Sequence, residues 1–256
     1  MSDDDEARRF ALEHAHYVQD IPYWRAAAAR CGSPVLDLGA ATGRVAIPLA
    51  RDGHEVWALD RSGAMLAELG RRLEREPADV RARVRPVAGD LAALRLAVEF
   101  RLVIAAMNTL QVLTDPADRV ACLRGVRAHL APGGELAFEV GYPDPDEIVA
   151  TMGIERSSGH YRDGPGGPLL LHSGWYDAWD PETRTLEFTL RNEEHRTGAP
   201  VRDFLRRHRV HLFWPDEIEA LLAEAGLEAV EVTGDFAGTP LGPASERQVY
   251  RCRARP

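Results

Sequence analysis

From Val35 onward, short runs of β-branched and apolar residues alternate with longer stretches whose apolar positions recur every three or four residues. The first pattern predicts buried strands and the second amphipathic helices, so their alternation predicts parallel strands joined by crossover helices. Strands are predicted over 35–38, 55–59, 84–87, 102–106 and 135–140. Thr42 opens a helix over 44–51, Ser62 caps one over 64–75, and Pro116 opens one over 117–130. The run Ala131-Pro132-Gly133-Gly134 breaks the last of these before the fifth strand.

The period changes after Tyr142. Between 169 and 213 the chain reads as antiparallel strands, with Leu186, Phe188 and Leu190 alternating. Asp180-Pro181-Glu182-Thr183 forms one turn between arms, and Thr197-Gly198-Ala199-Pro200 a second. A helix over 215–225, a stop at Gly226 and strands over 227–233 and 248–253 follow. The expected architecture is α/β: a Rossmann-like, seven-stranded, mostly parallel sheet flanked by helices, carrying an antiparallel β insertion as a lid. Residues 1–150 and 213–256 would form the sheet domain and 151–212 the insertion.

The first strand runs into Gly39-Ala40-Ala41-Thr42-Gly43-Arg44, a turn of small residues that lets the backbone approach a ligand, ahead of a helix with free N–H groups. Asp60 ends the second strand, where acidic residues of nucleotide-binding units take ribose hydroxyls. Asp90, in Gly89-Asp90-Leu91 after the third strand, sits at the rim where an adenine amino group would lie. Asp37, Asp60 and Asp90 thus converge on the carboxyl edge of three successive strands, the side on which open α/β sheets bind ligands. Alone, each aspartate reads more simply as a cap or a turn residue.

With these residues in place, 35–140 and the segment from Pro215 onward resemble the class I S-adenosylmethionine-dependent methyltransferases. Asp37-Leu38-Gly39-Ala40-Ala41-Thr42-Gly43 resembles that family's first motif, Ala58-Leu59-Asp60 its acidic second-strand motif and Gly89-Asp90-Leu91 its adenine motif. Leu130-Ala131-Pro132-Gly133-Gly134-Glu135-Leu136 resembles its entry to the fifth strand. The resemblance implies S-adenosylmethionine as cofactor, with Asp37, Gly39 and Gly43 near its methionine part and Asp60 on the ribose. Asp90 and the Leu91 backbone would take adenine, Arg61 and Met65 would flank the ring, and Met107 would lie near the sulfonium. The N-terminal segment of similar enzymes folds over the cofactor, which brings in Tyr17. Two positions depart from the pattern: Ala41 stands where the middle glycine is usual, and Arg101 where an aspartate usually opens the fourth strand.

A nicotinamide-dependent oxidoreductase uses the same sheet, and its fingerprint needs glycine at three positions held here by Gly39, Ala41 and Arg44. Arginine at the last of these opposes a dinucleotide. A noncatalytic protein that binds the cofactor is a further alternative. On the acceptor side, Asn108 follows the fourth strand, where nitrogen-methylating enzymes often place a polar residue. Tyr142 follows the fifth, and the insertion adds His172, Trp175, Tyr176, Arg191, His195, His208 and His211. Tyr142, His172 and Asn108 are the catalytic candidates. A methyl acceptor that is a small molecule, presenting nitrogen or oxygen, suits such a lining.

Composition narrows the partners. The net charge of -9 disfavours nucleic acid as a partner, and the cluster Arg202, Arg206, Arg207 and Arg209 reads as arginines alternating along a strand and facing water. All 31 Lys+Arg residues are Arg, which removes Schiff-base chemistry. Cys31, Cys122 and Cys252 lack metal-ligand or disulfide spacing, and no metal site is expected. No apolar run reaches membrane-spanning length, and the start of the chain is acidic, so a cytoplasmic monomer or homodimer without membrane attachment is expected.

Overall fold

The computed structural model describes residues 3–162, 164 and 166–255. Two helices, α1 (Asp3–Glu13) and α2 (Ile21–Cys31), precede the sheet. Then follow β1 (Val35–Leu38), α3 (Ala46–Arg51), β2 (Val56–Asp60), α4 (Gly63–Leu73), α5 (Ala78–Arg83), β3 (Val84–Ala88) and β4 (Phe100–Ala105). Next come α6 (Pro116–His129), β5 (Leu130–Gly141) and α7 (Pro145–Ala150). The insertion contributes β6 (Arg156–Arg162), β7 (Leu169–Asp180), β8 (Thr185–His195) and β9 (Arg202–His211), before α8 (Pro215–Glu224), β10 (Leu227–Thr233) and β11 (Arg247–Ala254).

The large sheet has seven strands in the order β10-β11-β5-β4-β1-β2-β3. β1 to β5 run parallel, and β11 lies antiparallel between β5 and β10. Strand order reverses between β1 and β4, which opens a crevice beyond their carboxyl ends. β1 is buried along its whole length because helices cover both faces, as a parallel sheet requires. Leu36 and Leu38 pack into one layer with Phe100, Phe138 and Tyr250. Val35 points into the other, with Trp24, Leu102 and Ile104. Phe138 and Tyr250 are register partners on β5 and β11, and their rings stack with centroids 4.9 Å apart.

Local signals account for several boundaries. The Ser62 side chain accepts the Met65 N–H at 3.3 Å and starts α4. Asp115 accepts the Ala117 N–H at 2.8 Å ahead of Pro116, and so starts α6. The helix expected from Arg44 starts two residues later, because Gly43 N–H bonds Ala40 C=O at 2.8 Å and holds the preceding residues in a turn. α5 had no clear apolar period and was not expected.

β6 to β9 form a separate antiparallel sheet. Its strands begin earlier than the alternation indicates, since β6 is almost wholly exposed and carries no apolar signal. Ile148 of α7, Leu186 and Leu212 anchor its base, joined by Tyr176, Phe188, Val210 and Trp214. The cross-strand rows His172–Asn192–Phe204, Gly174–Leu190–Arg206 and Tyr176–Phe188–His208 mark its covered face. Among the described residues, no helix is long and apolar enough to cross a membrane.

Candidate functional site

The turn after β1 is strained where the sequence lacks glycine. Ala41 has φ 47°, a left-handed conformation that costs an L-residue about 1–2 kcal/mol. Its N–H is held by Asp60 Oδ2 at 2.9 Å, while Asp60 Oδ1 takes the Ser62 N–H at 2.8 Å. Asp60 therefore ties the end of β2 to the turn after β1, and each oxygen keeps a second lone pair for another donor. Gly43 is also left-handed, at φ 79°, and a Cβ there would meet Leu69 Cδ1 at 2.4 Å. Gly39 is left-handed too, at φ 65°, and a Cβ there would meet Thr109 Cγ2 at 2.7 Å, so both motif glycines serve backbone shape and close packing.

Asp37 is buried, and its Oδ2 has no hydrogen-bond partner among the described residues. Burial pushes its carboxyl up to about 7, with Asp60 adding to the rise and Arg44 opposing it. An unpartnered buried carboxylate oxygen is costly, so this edge fits a ligand that brings donors or positive charge.

Arg44, at the third-glycine position, does not face away. It forms a two-pronged pair with Asp20, at 2.6 and 2.7 Å, and bonds the Tyr17 carbonyl at 3.0 Å. Asp20 is fully buried and also accepts from Trp24 Nε1 at 2.7 Å. The Tyr17 hydroxyl in turn accepts from Arg247 at 2.8 Å. These bonds fasten the segment between α1 and α2 over the turn. Asp20 and Arg247 give no sequence signal of their own, since their roles follow only from where distant strands bring them.

On the β4 side, Met107 and Asn108 are consecutive left-handed residues with φ 58° and 60°. The pKa of the buried Glu139 carboxyl is raised by burial, a rise opposed first by the Arg247 guanidinium and then by the Met107 and Asn108 backbone N–H groups nearby. Asn108 Oδ1 accepts the Gly141 N–H at 2.7 Å, so this candidate's carbonyl oxygen already joins the ends of β4 and β5. Tyr142 is half-buried, its backbone N–H bonded to Glu246 C=O at 2.9 Å. Asp90 is exposed and caps the short 3-10 turn Leu91–Ala93 through the Ala92 N–H at 2.8 Å. Gly89 packs on Leu59, Arg61 is exposed and Met65 is half-buried on the first turn of α4.

His172 lies on the covered face of the insertion, away from the β1 turn in sequence but joined to α1. Its Nε2 stands 2.7 Å from Glu13 Oε1, and its Nδ1 contacts the Ser158 hydroxyl. Arg206 holds the other Glu13 oxygen at 3.0 Å. Both Glu13 and Arg206 have side chains about one-tenth exposed, so one member of the arginine cluster turns inward instead of facing water. Arg207 and Arg209 are exposed as alternation predicts, and Arg202, in register with the covered face, is exposed at the start of β9. Tyr176 and His208 share the covered face, whereas Trp175 bonds Asp177 and Arg191 pairs with Asp203 on the opposite one. His195 pairs with Glu193 near the turn, and His211 pairs with Glu217 at 2.6 Å at the base. Among the described residues, no group of three or more His, Cys, Asp and Glu side chains is arranged to hold a metal ion.

Residues 35–134 match the model of a methyltransferase domain. The cypemycin N-terminal methyltransferase of a Streptomyces species is 30% identical over 220 residues, covering 82% of this chain and 78% of that protein. This chain belongs to the S-adenosylmethionine-dependent methyltransferases. The structure of the CcbJ methyltransferase from Streptomyces caelestis superposes with a TM-score of 0.76 at 30% identity, over 92% of this chain and 95% of that one. The glycopeptide N-methyltransferase MtfA, solved with S-adenosylhomocysteine, gives 0.62 at 28% identity, over 92% and 87%. Such coverage takes in the inserted sheet as well as the seven-stranded core. The methyltransferase uses S-adenosylmethionine, and the nicotinamide alternative falls with that membership.

Proposed function

We propose that this methyltransferase transfers its methyl group to the amino nitrogen of a small molecule or short peptide. The observation that carries the proposal is the match, over 82% and 92% of this chain, to proteins named as the cypemycin N-terminal methyltransferase and a glycopeptide N-methyltransferase. The insertion borders the acceptor side, so likeness that includes it bears on acceptor chemistry more than likeness in the cofactor edge alone.

In this reading Asp60 holds the ribose through its free lone pairs, and Asp90 with the Leu91 N–H holds adenine between Arg61 and Met65. Gly89 keeps that rim narrow. The turn Gly39, Ala41 and Gly43 lies along the methionine part, with Asp37 facing its ammonium, while Tyr17 and Arg44 close the site from above. Met107 borders the sulfonium. When bound, S-adenosylmethionine supplies an electrophilic methyl. The protein's work is to align the acceptor nitrogen about 3 Å from that carbon and in line with the sulfur. Asn108 and Tyr142 border this line from the ends of β4 and β5. His172 acts through α1, holding the inserted lid in place, because its Nε2 lies beside the Glu13 carboxylate and its Nδ1 contacts Ser158.

The test is to incubate the purified chain with methyl-labelled S-adenosylmethionine and matched panels of amines, phenols and alcohols, and to locate the label by mass spectrometry. Label on nitrogen is the expected result. Label on oxygen alone overturns the reading, and cofactor binding without turnover on any panel would make the chain a noncatalytic binder.

A further inference from the structure

Two buried nitrogens near the ends of β4 and β9 lack partners. Gln111 lies on the 3-10 turn Thr109–Val112, which follows the left-handed pair Met107–Asn108. The residue is only 4% exposed, yet its Nε2 has no hydrogen-bond partner among the described residues. Its Oε1 lies 4.0 Å from where a Cβ on Gly141 would stand, next to Asn108 Oδ1 at 3.8 Å, which places the amide between the ends of β4 and β5. β9 packs against this same turn. On β9, His208 presents a solvent-sealed Nε2, likewise without a partner among the described residues. Its ring is fixed by stacking on Phe188, with centroids 5.0 Å apart.

Leaving a buried polar group unpaired costs about 1–3 kcal/mol, and native structures keep few of them. Here one nitrogen is a donor and nothing else: the amide NH₂ of Gln111. The other is an acceptor whenever the neutral imidazole carries its proton on Nδ1. Burial, reinforced by the Arg206 guanidinium on the same strand, keeps His208 below the usual histidine range, while Glu13 and Glu6 of α1 oppose that shift. His172 Nε2 also lacks a hydrogen bond, but it lies 2.7 Å from the Glu13 carboxylate, and its Nδ1 contacts the Ser158 hydroxyl.

We infer that Gln111 and His208 together recognise the acceptor as an amine flanked by a hydrogen-bond-accepting oxygen, a carbonyl or a hydroxyl. Gln111 Nε2 donates to that oxygen, and His208 Nε2 accepts an N–H of the amine. As the nitrogen lone pair forms the new N–C bond, the C–S bond breaks with its electron pair remaining on sulfur. The displaced proton passes from nitrogen to His208 Nε2 and leaves to water on product release. This inference rests on the N-methyl reading above and adds the residues that select the acceptor.

Three probes test it: alanyl-alanine amide, a 2-amino-2-deoxy sugar and hexylamine, each assayed for N-methyl product with the wild type, Gln111→Leu and His208→Asn. In the wild type, kcat/KM for at least one oxygen-bearing amine should exceed that for hexylamine by tenfold or more. Preference for the amide assigns the oxygen as carbonyl, and preference for the sugar assigns it as hydroxyl. Gln111→Leu should erase that preference through KM. His208→Asn should lower kcat at least tenfold on the preferred amine while S-adenosylhomocysteine affinity stays within twofold by calorimetry. His208→Gln replaces it if the first variant melts early. The inference is overturned if hexylamine is turned over as well as the others, if none of the three is turned over, or if either variant leaves its parameter unmoved. Wild-type label on oxygen would instead sink the N-methyl reading, which separates the two failures.

Discussion

The edge of the large sheet and the covered face of the inserted sheet do different work with different materials. At the sheet edge, the backbone dominates: Asp60 collects N–H groups from two neighbouring turns, Asn108 Oδ1 takes the Gly141 N–H, and Ala41, Met107 and Asn108 hold left-handed conformations. On the insertion, side chains dominate: Glu13 joins His172 and Arg206, and Arg9 lies over the Phe204 ring at 3.8 Å. A backbone-built site tolerates few sequences and suits a cofactor that never changes. A side-chain-built face changes one residue at a time, which suits the proposed role of the insertion toward the acceptor. The difference teaches where to expect family-wide features and where to expect this chain's own.

Breaking the tie between the β1 turn and the segment that precedes α2 should have the largest effect. Arg44→Met leaves fully buried Asp20 without its ion partner, and loss of one member of a buried pair costs about 3–5 kcal/mol. Urea unfolding should register that loss, together with weaker S-adenosylmethionine binding. Next, Asp60→Ala removes a charged acceptor from two N–H groups and, in the proposed reading, from the ribose. At about 1.5–3 kcal/mol per charged hydrogen bond, calorimetry should show affinity for S-adenosylhomocysteine falling about 100-fold, and unchanged affinity would refute the assignment of the ribose site.

Asp37 offers a pH signature confined to the sheet edge. Its carboxyl rises from 3.8 to about 7 on folding, so the folded state binds a proton that the unfolded chain has released. Ligand-free stability should therefore decline as pH climbs from about 4 to about 7. Asp37→Asn should flatten that decline in thermal melts across the range, and an unchanged profile would mean another group controls it.

On the insertion, Glu13→Gln should be milder, about 1–2 kcal/mol in stability, because the amide keeps a hydrogen bond while losing charge. Acceptor KM should rise several-fold with S-adenosylmethionine affinity nearly constant; equal losses in both would show that α1 serves the cofactor instead. The smallest effect belongs to Arg209→Ala. This exposed residue pairs only loosely with Glu187, at 3.7 Å, and exposed pairs contribute about 0–1 kcal/mol. Its kinetic constants should stay within about twofold.

Some of this was legible along the chain. β1 and β10 begin and end where alternation and flanking breakers place them, and Ser62, Pro116 and Gly226 mark helix ends through local chemistry. Other features carried no local signal. β6 is exposed on nearly every residue, so no apolar period announces it. Arg206 sits in an arginine-rich strand that reads as solvated, and only α1, distant in sequence, explains why it turns inward. Arg44 was visible as an obstacle to a dinucleotide, but its buried partner Asp20 was not.

The sequence by itself determined the sheet and the carboxylates at its edge, because those features rest on hydrophobic period, turn chemistry and short-range spacing, while the cofactor class followed from the resemblance of those motifs to a known family. Tertiary structure alone decided what surrounds the insertion's histidines: His172 lies against Glu13 and Ser158, His195 against Glu193 and His211 against Glu217, while the His208 ring stacks on Phe188. It also decided that Asn108 bridges two strands and that α1 closes over the inserted sheet. The physical reason is that a side chain's role depends on partners contributed by remote segments. Period and spacing describe only what a residue does with its neighbours in the chain.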